Sequence, residues 1–234
     1  MVMAAPVSAQ FFLGDPVAID IRPVWTRGTV ELRDSQWSAT RTNTRWEFNA
    51  WGEVADRVRL RYSFMPGFTI SDVVIPAGTF YIGSTDFGPQ QQGGGGGGQQ
   101  QTQQPVSLDF KNNAENRVEI SGPVWWPLCP LVMAEWVQCE VTATGKKNGQ
   151  TITDGESFSR GWIGFGGLFQ YRTPRSVVNV VAAGGSGFGR LEGTLFYRYR
   201  PDFAVNCGYF FESKTLQQAK IKRGGPFIGA VLEF

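Results

Sequence analysis

The sequence predicts an all-β fold: a closed, antiparallel, up-and-down transmembrane β-barrel of about ten strands, with eight as the lower count. Three observations predict it. Period-two alternation dominates the chain, and helical periodicity is nearly absent. Several alternating runs reach the ~9–11 residues that a tilted strand needs to cross a hydrocarbon layer. Short turns at one end alternate with longer polar connections at the other, as in an up-and-down barrel.

The ten expected strands lie at about 16–27, 42–54, 57–70, 116–126, 131–143, 159–172, 176–184, 188–200, 203–212 and 225–234. The second run sets Trp46, Phe48, Ala50, Gly52 and Val54 against Arg45, Glu47, Asn49, Trp51 and Glu53. In the third, Val58, Leu60, Tyr62, Phe64, Pro66, Phe68 and Ile70 oppose Arg57, Arg59, Arg61 and Ser63. Pro66 fits only a strand end or a bulge there. Ile163, Phe165, Gly167, Phe169 and Tyr171 alternate in the sixth run, and Leu191, Gly193, Leu195, Tyr197 and Tyr199 in the eighth. Phe203, Val205, Cys207, Tyr209 and Phe211 do so in the ninth. The fifth alternates poorly, because Glu135 shares a face with Met133, Val137, Cys139 and Val141. A charge facing lipid is costly, so a bulge or an inward orientation is expected there.

Short turns are expected at Ala55-Asp56, around Pro127 to Pro130, at Thr173-Pro174-Arg175, at Pro201-Asp202, and as an exception on the long-loop side at 184–187. Longer polar loops are expected near 28–41, 71–115, 145–158 and 213–224. Within the second of these, a Gln/Gly-rich tract at about 88–106, containing six consecutive glycines, reads as a flexible solvated loop. Phe80, Tyr81, Phe87 and Phe110 frame it. Asp154 and Glu156 read as solvated loop residues. Val7-Ser8-Ala9 has the small-x-small form of a signal-peptidase site, so residues 1–9 are expected to be a leader remnant and 10–234 a single barrel domain.

Composition narrows the chemistry. Aromatic residues make up 14% of the 234 residues and charged ones 18%; so much apolar area requires a folded chain. Histidine is absent, which removes Ser-His-Asp and Cys-His triads and histidine metal sites. Neither a metal nor any other cofactor is expected, and no enzyme. A net charge of +2 is too balanced for a nucleic-acid binder. The three cysteines, Cys129, Cys139 and Cys207, read as apolar residues, with a Cys129–Cys139 bond open in an oxidising compartment.

The last residues run Pro-Phe-Ile-Gly-Ala-Val-Leu-Glu-Phe, with Ile228, Ala230, Leu232 and Phe234 on one face. This resembles the terminal strand of bacterial outer-membrane β-barrel proteins, small porin-like and structural barrels among them. The resemblance implies an outer-membrane location after export through the periplasm. It also implies a lipid bilayer as partner and recognition of that strand by the barrel-assembly machinery; a homo-oligomer is left open. The enzymes of that architecture rely on a histidine with Ser or Asp partners, a set this chain cannot assemble.

With the apolar faces outward, the lumen collects Arg45, Glu47, Glu53, Arg57, Arg59, Arg61, Glu119, Arg190, Glu192, Arg198, Arg200 and Glu212. Buried charges must be paired, so the first expectation is an Arg–Glu network that fills a narrow barrel. The alternative is a narrow, weakly anion-preferring pore along Arg57, Arg59 and Arg61. Long surface loops would serve recognition. The competing fold is a soluble jelly-roll with a structural or surface-binding role, capsid- or lectin-like. A lipocalin-like carrier would instead require an apolar interior.

Overall fold

The computed structural model describes residues 17–32, 38–54, 58–75, 81–82, 85–86, 106–122, 127–147, 150–216 and 219–234. The leader segment, the tract at 88–105, Phe80, Phe87 and the Trp125-Trp126 pair lie outside the described residues. The strands are β1 (Val17–Leu32), β2 (Ser38–Val54), β3 (Val58–Ile75), β4 (Tyr81–Ile82), β5 (Thr85–Asp86) and β6 (Val106–Ser121). They continue with β7 (Leu128–Lys147), β8 (Gln150–Arg172), β9 (Ser176–Gly185), β10 (Phe188–Arg200), β11 (Phe203–Thr215) and β12 (Ala219–Glu233).

Ten of these close into one barrel in the order β1-β12-β11-β10-β9-β8-β7-β6-β3-β2, while β4 and β5 form a separate two-stranded sheet. The connectivity is up-and-down throughout, which excludes the jelly-roll. All ten barrel strands pass through one compact unit (1–66, 115–136 and 161–234); residues 67–114 and 137–160 form a second. The lower rim is defined here by the turns at Thr173–Arg175 and Pro201-Asp202, and the upper rim by the turn at Ser186-Gly187.

Alternation places the charges inside. On β1, Ile19, Ile21 and Trp25 are 39%, 41% and 42% exposed, whereas Asp20, Arg22 and Val24 are 0%, 1% and 0%. On β10, Leu191 and Leu195 face out, and Arg190, Glu192, Thr194 and Phe196 face in. This is the reverse of a soluble sandwich, where the apolar face is the buried one, and it also rules out a lipocalin-like interior. Strand β7 corrects the poor alternation at Glu135: Leu131, Met133, Glu135, Val137 and Cys139 are all buried, and Val132 and Trp136 face out. The apolar residues beside Glu135 lie inward with it, so Glu135 does not meet the outside. On β3, burial moves from Arg59, Arg61, Ser63 and Met65 to the even position Ile70, the irregularity expected at Pro66. Cys129, Cys139 and Cys207 are all free thiols, the first two buried and the third outward.

The strands outrun their apolar pattern. β8 has 23 residues and β7 has 20, so much of the sequence expected as loops at 28–41, 71–115, 145–158 and 213–224 is strand. Asp154 and Glu156 stand on β8, not in a loop, and Phe110 is a buried residue of β6. Where both faces are wet, alternation in hydropathy stops but backbone pairing continues. Polar cross-strand contacts then replace apolar ones, as in Thr29 Oγ1 to Thr40 Oγ1 at 2.9 Å and Thr144 Oγ1 to Thr153 Oγ1 at 3.2 Å.

Strands β1 and β12 close the barrel. Their register runs from Ala18↔Glu233 to Leu32↔Ala219, and the Phe234 amide donates to the Val17 carbonyl at 3.0 Å. The ladder skips Arg22-Pro23 and Trp25-Thr26. Pro23 and Pro226 each remove a backbone donor at this seam. Close approach demands glycine at 225, where a Cβ would lie 1.7 Å from the Trp25 carbonyl oxygen. Gly225→Ala should therefore destabilise the barrel by roughly 1–3 kcal/mol. Gly189→Ala, whose Cβ meets nothing within 4 Å, should stay within about 0.5 kcal/mol of the parent. Urea midpoints in detergent micelles measure both.

Candidate functional site: the charged lumen

Period two fixes which residues reach the lumen. β1 contributes Asp20 and Arg22, and β2 contributes Arg45, Glu47 and Asn49. β3 adds Arg59, Arg61 and Ser63; β6 adds Glu115, Arg117 and Glu119; β7 adds Glu135. From β10 come Arg190, Glu192 and Thr194, from β11 Asn206, Glu212 and Lys214, and from β12 Arg223; all are buried. Strands β8 and β9 supply an amide pair, the Gln170 side-chain amide donating to Asn179 Oδ1 at 2.8 Å, and the half-buried Arg172 of β8 donates from Nε to Gln170 Oε1 at 2.9 Å.

Nearest the lower rim, Ala18, Trp51, Val177, Phe196, Ala204 and Val231 form an apolar layer. Trp51 and Phe196 meet edge-to-face, with ring centroids 5.9 Å apart. Arg59 stands over Trp51 at 5.5 Å.

The middle layer is built around two carboxylates. Glu47 Oε1 accepts from Arg22 Nη2 at 3.0 Å and from Arg117 Nη2 at 2.9 Å. Glu192 Oε1 accepts from Arg22 Nη2 at 3.0 Å and from Arg61 Nη2 at 3.3 Å. Arg190 and Thr194 also donate to Glu192. Arg117 Nε reaches Glu119 at 2.8 Å, and Arg61 Nη1 lies 3.5 Å from Glu119. Asn49 ties these to Asp20: it accepts from Arg61 Nη2 at 2.9 Å and donates to Asp20 Oδ2 at 3.1 Å. Asn206 donates to the other Asp20 oxygen at 2.8 Å.

The upper layer gathers Glu115, Glu135 and Glu212, whose oxygens lie within 4.8 Å of one another. At that spacing each pair of carboxylates repels by about 3 kcal/mol at an effective dielectric near 20. Lys214 offsets this, with Nζ 3.0 Å from Glu212 Oε1 and in contact with Glu115 and Glu135. Arg223 contacts Glu115 and Glu212, and Arg190 donates to Glu212 at 2.6 Å. One ammonium and two guanidinium groups thus neutralise the three clustered carboxylates. Arg22 lies over the Phe227 ring at 3.9 Å and Arg190 over Phe210 at 5.2 Å, which covers guanidinium faces not used in hydrogen bonds.

Among the described residues, the fully buried acids and bases are equal in number. The acids are Asp20, Glu47, Glu115, Glu119, Glu135, Glu192, Glu212 and Glu233; the bases are Arg22, Arg45, Arg59, Arg61, Arg117, Arg190, Lys214 and Arg223. A cavity of about 20 Å³ bordered by Arg59, Arg61, Glu119, Asn179, Glu192 and Thr194 has room for about one water.

The structure brings together Arg45, Glu47, Arg61, Glu119, Arg190, Glu192 and Glu212 from the expected set, with Arg59 beside them. Arg198 lies at the lower rim, donating to Glu233 at 2.7 Å. Arg200 is outside the network: it is exposed and stands over the Tyr199 ring at 5.9 Å. It sits past the register shift between Arg198 and Arg200, which breaks the inward parity. Arg57 and the Glu53 side chain lie outside the described residues. Sequence reasoning missed Asp20, Arg22, Glu115, Arg117, Glu135, Lys214 and Arg223. Asp20 and Arg22 carried a readable signal, since they alternate with Ile19 and Ile21. Lys214 and Arg223 lie past the expected strand ends.

No family model and no curated protein matches the chain. Solved structures similar to it include the attachment invasion locus protein of Yersinia pestis in complex with the heparin analogue sucrose octasulfate, at 11% identity, 94% of this chain, 99% of that one and a TM-score of 0.42. The outer membrane protease OmpT from Escherichia coli is another, at 11% identity, 94% of this chain, 97% of that one and a TM-score of 0.49. A third is the P. putida toluene transporter TodX, at 8% identity, 97% of this chain, 92% of that one and a TM-score of 0.36. No residue role is carried over from any of them.

Removing one member of a buried charge network leaves the others uncompensated. Glu192→Ala should cost about 3–5 kcal/mol, while Arg200→Ala should change stability by less than ~0.5 kcal/mol. Equilibrium urea unfolding followed by tryptophan fluorescence compares the two.

Proposed function

We propose that the chain is an integral β-barrel of the bacterial outer membrane with a closed lumen and a structural role, neither catalytic nor solute-conducting. The observation that carries this is the inverted polarity of the wall: apolar side chains outside, paired charges inside. Every barrel strand except β9 presents large exposed apolar residues, from Ile19 on β1 and Phe48 on β2 to Phe211 on β11 and Leu232 on β12. On β1 the outward apolar run spans Val17 to Trp25. Nine residues of strand, tilted by ~40°, cover roughly 20 Å of bilayer normal, close to the ~25 Å apolar band of such barrels. Trp25, Trp46, Tyr171 and Tyr197 stand near its borders, where amphipathic rings favour a lipid interface.

The closed lumen rests on the balance of its charges and on the Trp51–Phe196 layer below them. Arg61, one of the expected anion-selecting residues, is engaged by Asn49, Glu119 and Glu192, which leaves little for a passing anion. Ile228, Ala230, Leu232 and Phe234 all face outward on the closing strand, the arrangement expected of an assembly signal.

The folded protein in dodecyl sulfate should migrate differently on gels before and after boiling, and in planar bilayers it should give no stepwise current. Unitary conductance steps would overturn the closed lumen. Spontaneous solubility without detergent, with no heat-dependent shift, would overturn the membrane assignment.

A further inference from the structure

Among the described residues, outward-facing cations at the upper border of the apolar belt are concentrated on the closing seam. Arg27 follows Trp25 by two positions on β1, so it shares the outward face one step above the last apolar residue. Across the seam Gly224 pairs with Arg27, Lys222 with Thr29 and Lys220 with Glu31. Phe211, on the neighbouring strand, pairs with Gly224 and ends the apolar run of β11. Gly224 leaves room for that ring: a Cβ there would stand 3.4 Å from Phe211 Cδ2 and 2.9 Å from the Phe210 carbonyl oxygen. Arg27 therefore stands directly above an apolar surface made by Trp25 and Phe211, with Lys222 and then Lys220 on the successive outward positions of β12 above Gly224.

On the neighbouring strands of the same compact unit, the described outward positions at this level are neutral. β2 presents Thr40, Thr42 and Thr44, β10 presents Gly189, and β11 presents Ser213 and Thr215. Among the described outward positions of the seam, the one carboxylate is Glu31, held by Lys222 Nζ at 2.7 Å. Three cations against one acid leave a local excess of positive charge, with the Thr29 and Ser213 hydroxyls beside it. Facing pairs on adjacent strands lie ~5 Å apart and diagonal ones ~7–8 Å; Lys222 is diagonal to Arg27 and Lys220 is the next outward residue along β12, so the long side chains of all three can reach toward one phosphate.

We propose that this patch binds the phosphate of a membrane amphiphile, with the acyl chains lying along Trp25 and Phe211. The inference rests on the membrane reading above. The lipid source is favoured over free phosphate because the cations are continuous with an apolar surface that only the tails of a lipid can use. Glu31 competes for Lys222, so its charge opposes the ligand.

The test uses the whole chain in phosphatidylcholine vesicles with and without dioleoyl phosphatidic acid, scored by native mass spectrometry for retained lipid. Resistance of the vesicle-bound protein to carbonate extraction is scored separately; its failure sinks the membrane reading alone. The parent should retain phosphatidic acid over phosphatidylcholine. Each cation near an anionic lipid surface contributes about 1 kcal/mol, so Arg27→Gln with Lys220→Gln should weaken retention by roughly 30-fold. Glu31→Gln should strengthen it, a gain that misfolding cannot mimic. Equal retention of the two lipids in an extraction-resistant protein, or no change in either variant, overturns the proposal. So does inorganic phosphate displacing the lipid at matched concentration, which would assign the cations to free phosphate.

Discussion

The structure depends on mutual neutralisation of charges across the lumen. Glu47 on β2 is held by arginines from β1 and β6; Glu192 on β10 is held by arginines from β1, β3 and its own strand. Three of these contacts, Arg117–Glu47, Arg22–Glu192 and Arg61–Glu192, join strands that are not neighbours in the barrel, and these can form only when the intervening strands are in register. A slip by one residue would turn a strand's whole inward set to the outside. Register, closure and the direction of each charged face are therefore one constraint. Arg22 illustrates its weight, since one buried guanidinium touches both keystone carboxylates and covers the Phe227 ring.

The outer surface follows from the inner one. Once every other residue is committed to a polar lumen, the remaining positions within the belt are free to be apolar, and they are Ile, Leu, Val, Phe, Trp and Tyr on nearly every strand. Above the belt this division lapses, the strands continue with Thr, Ser, Asp and Glu, and hydrogen bonds between side chains take over from apolar contact. The closing seam is less regular than its neighbours. β1 pairs with β2 at every position from Val17 to Glu31, whereas β1–β12 is interrupted on either side of Val24. Side-chain contacts from Asp20 and Arg22 to Asn206, Glu47 and Glu192 reinforce the wall behind that interruption.

Much of this was legible as alternation. Leu191 to Tyr199 and Val205 to Phe211 mark both the strands and their outward faces, and Pro66 marks the irregularity of β3. The lumen residues of β2, β3 and β10 follow from the same rule. What alternation could not supply was partnership, because the acids and bases that meet come from separate strands whose stagger is a property of the closed barrel. Glu135 looked misplaced among Met133, Val137 and Cys139, since an inward face that is largely apolar reads like an outward one. Arg200 kept the parity of Arg190 and Glu192 on paper, but the register shift after Arg198 takes it out of the lumen. Strand ends were underestimated for a related reason: hydropathy reports burial, and wet strands have little of it.

Cys207 offers the most direct access to the lipid contact proposed for the apolar face of the wall. This thiol is exposed on β11 between Val205 and Tyr209. A nitroxide attached to it, with Cys129 and Cys139 replaced by serine, can be read for collision with oxygen and with a water-soluble nickel chelate in phosphatidylcholine vesicles. Contact with lipid should give strong oxygen broadening and weak nickel broadening at this site. Strong nickel broadening would place Cys207 in water and contradict it.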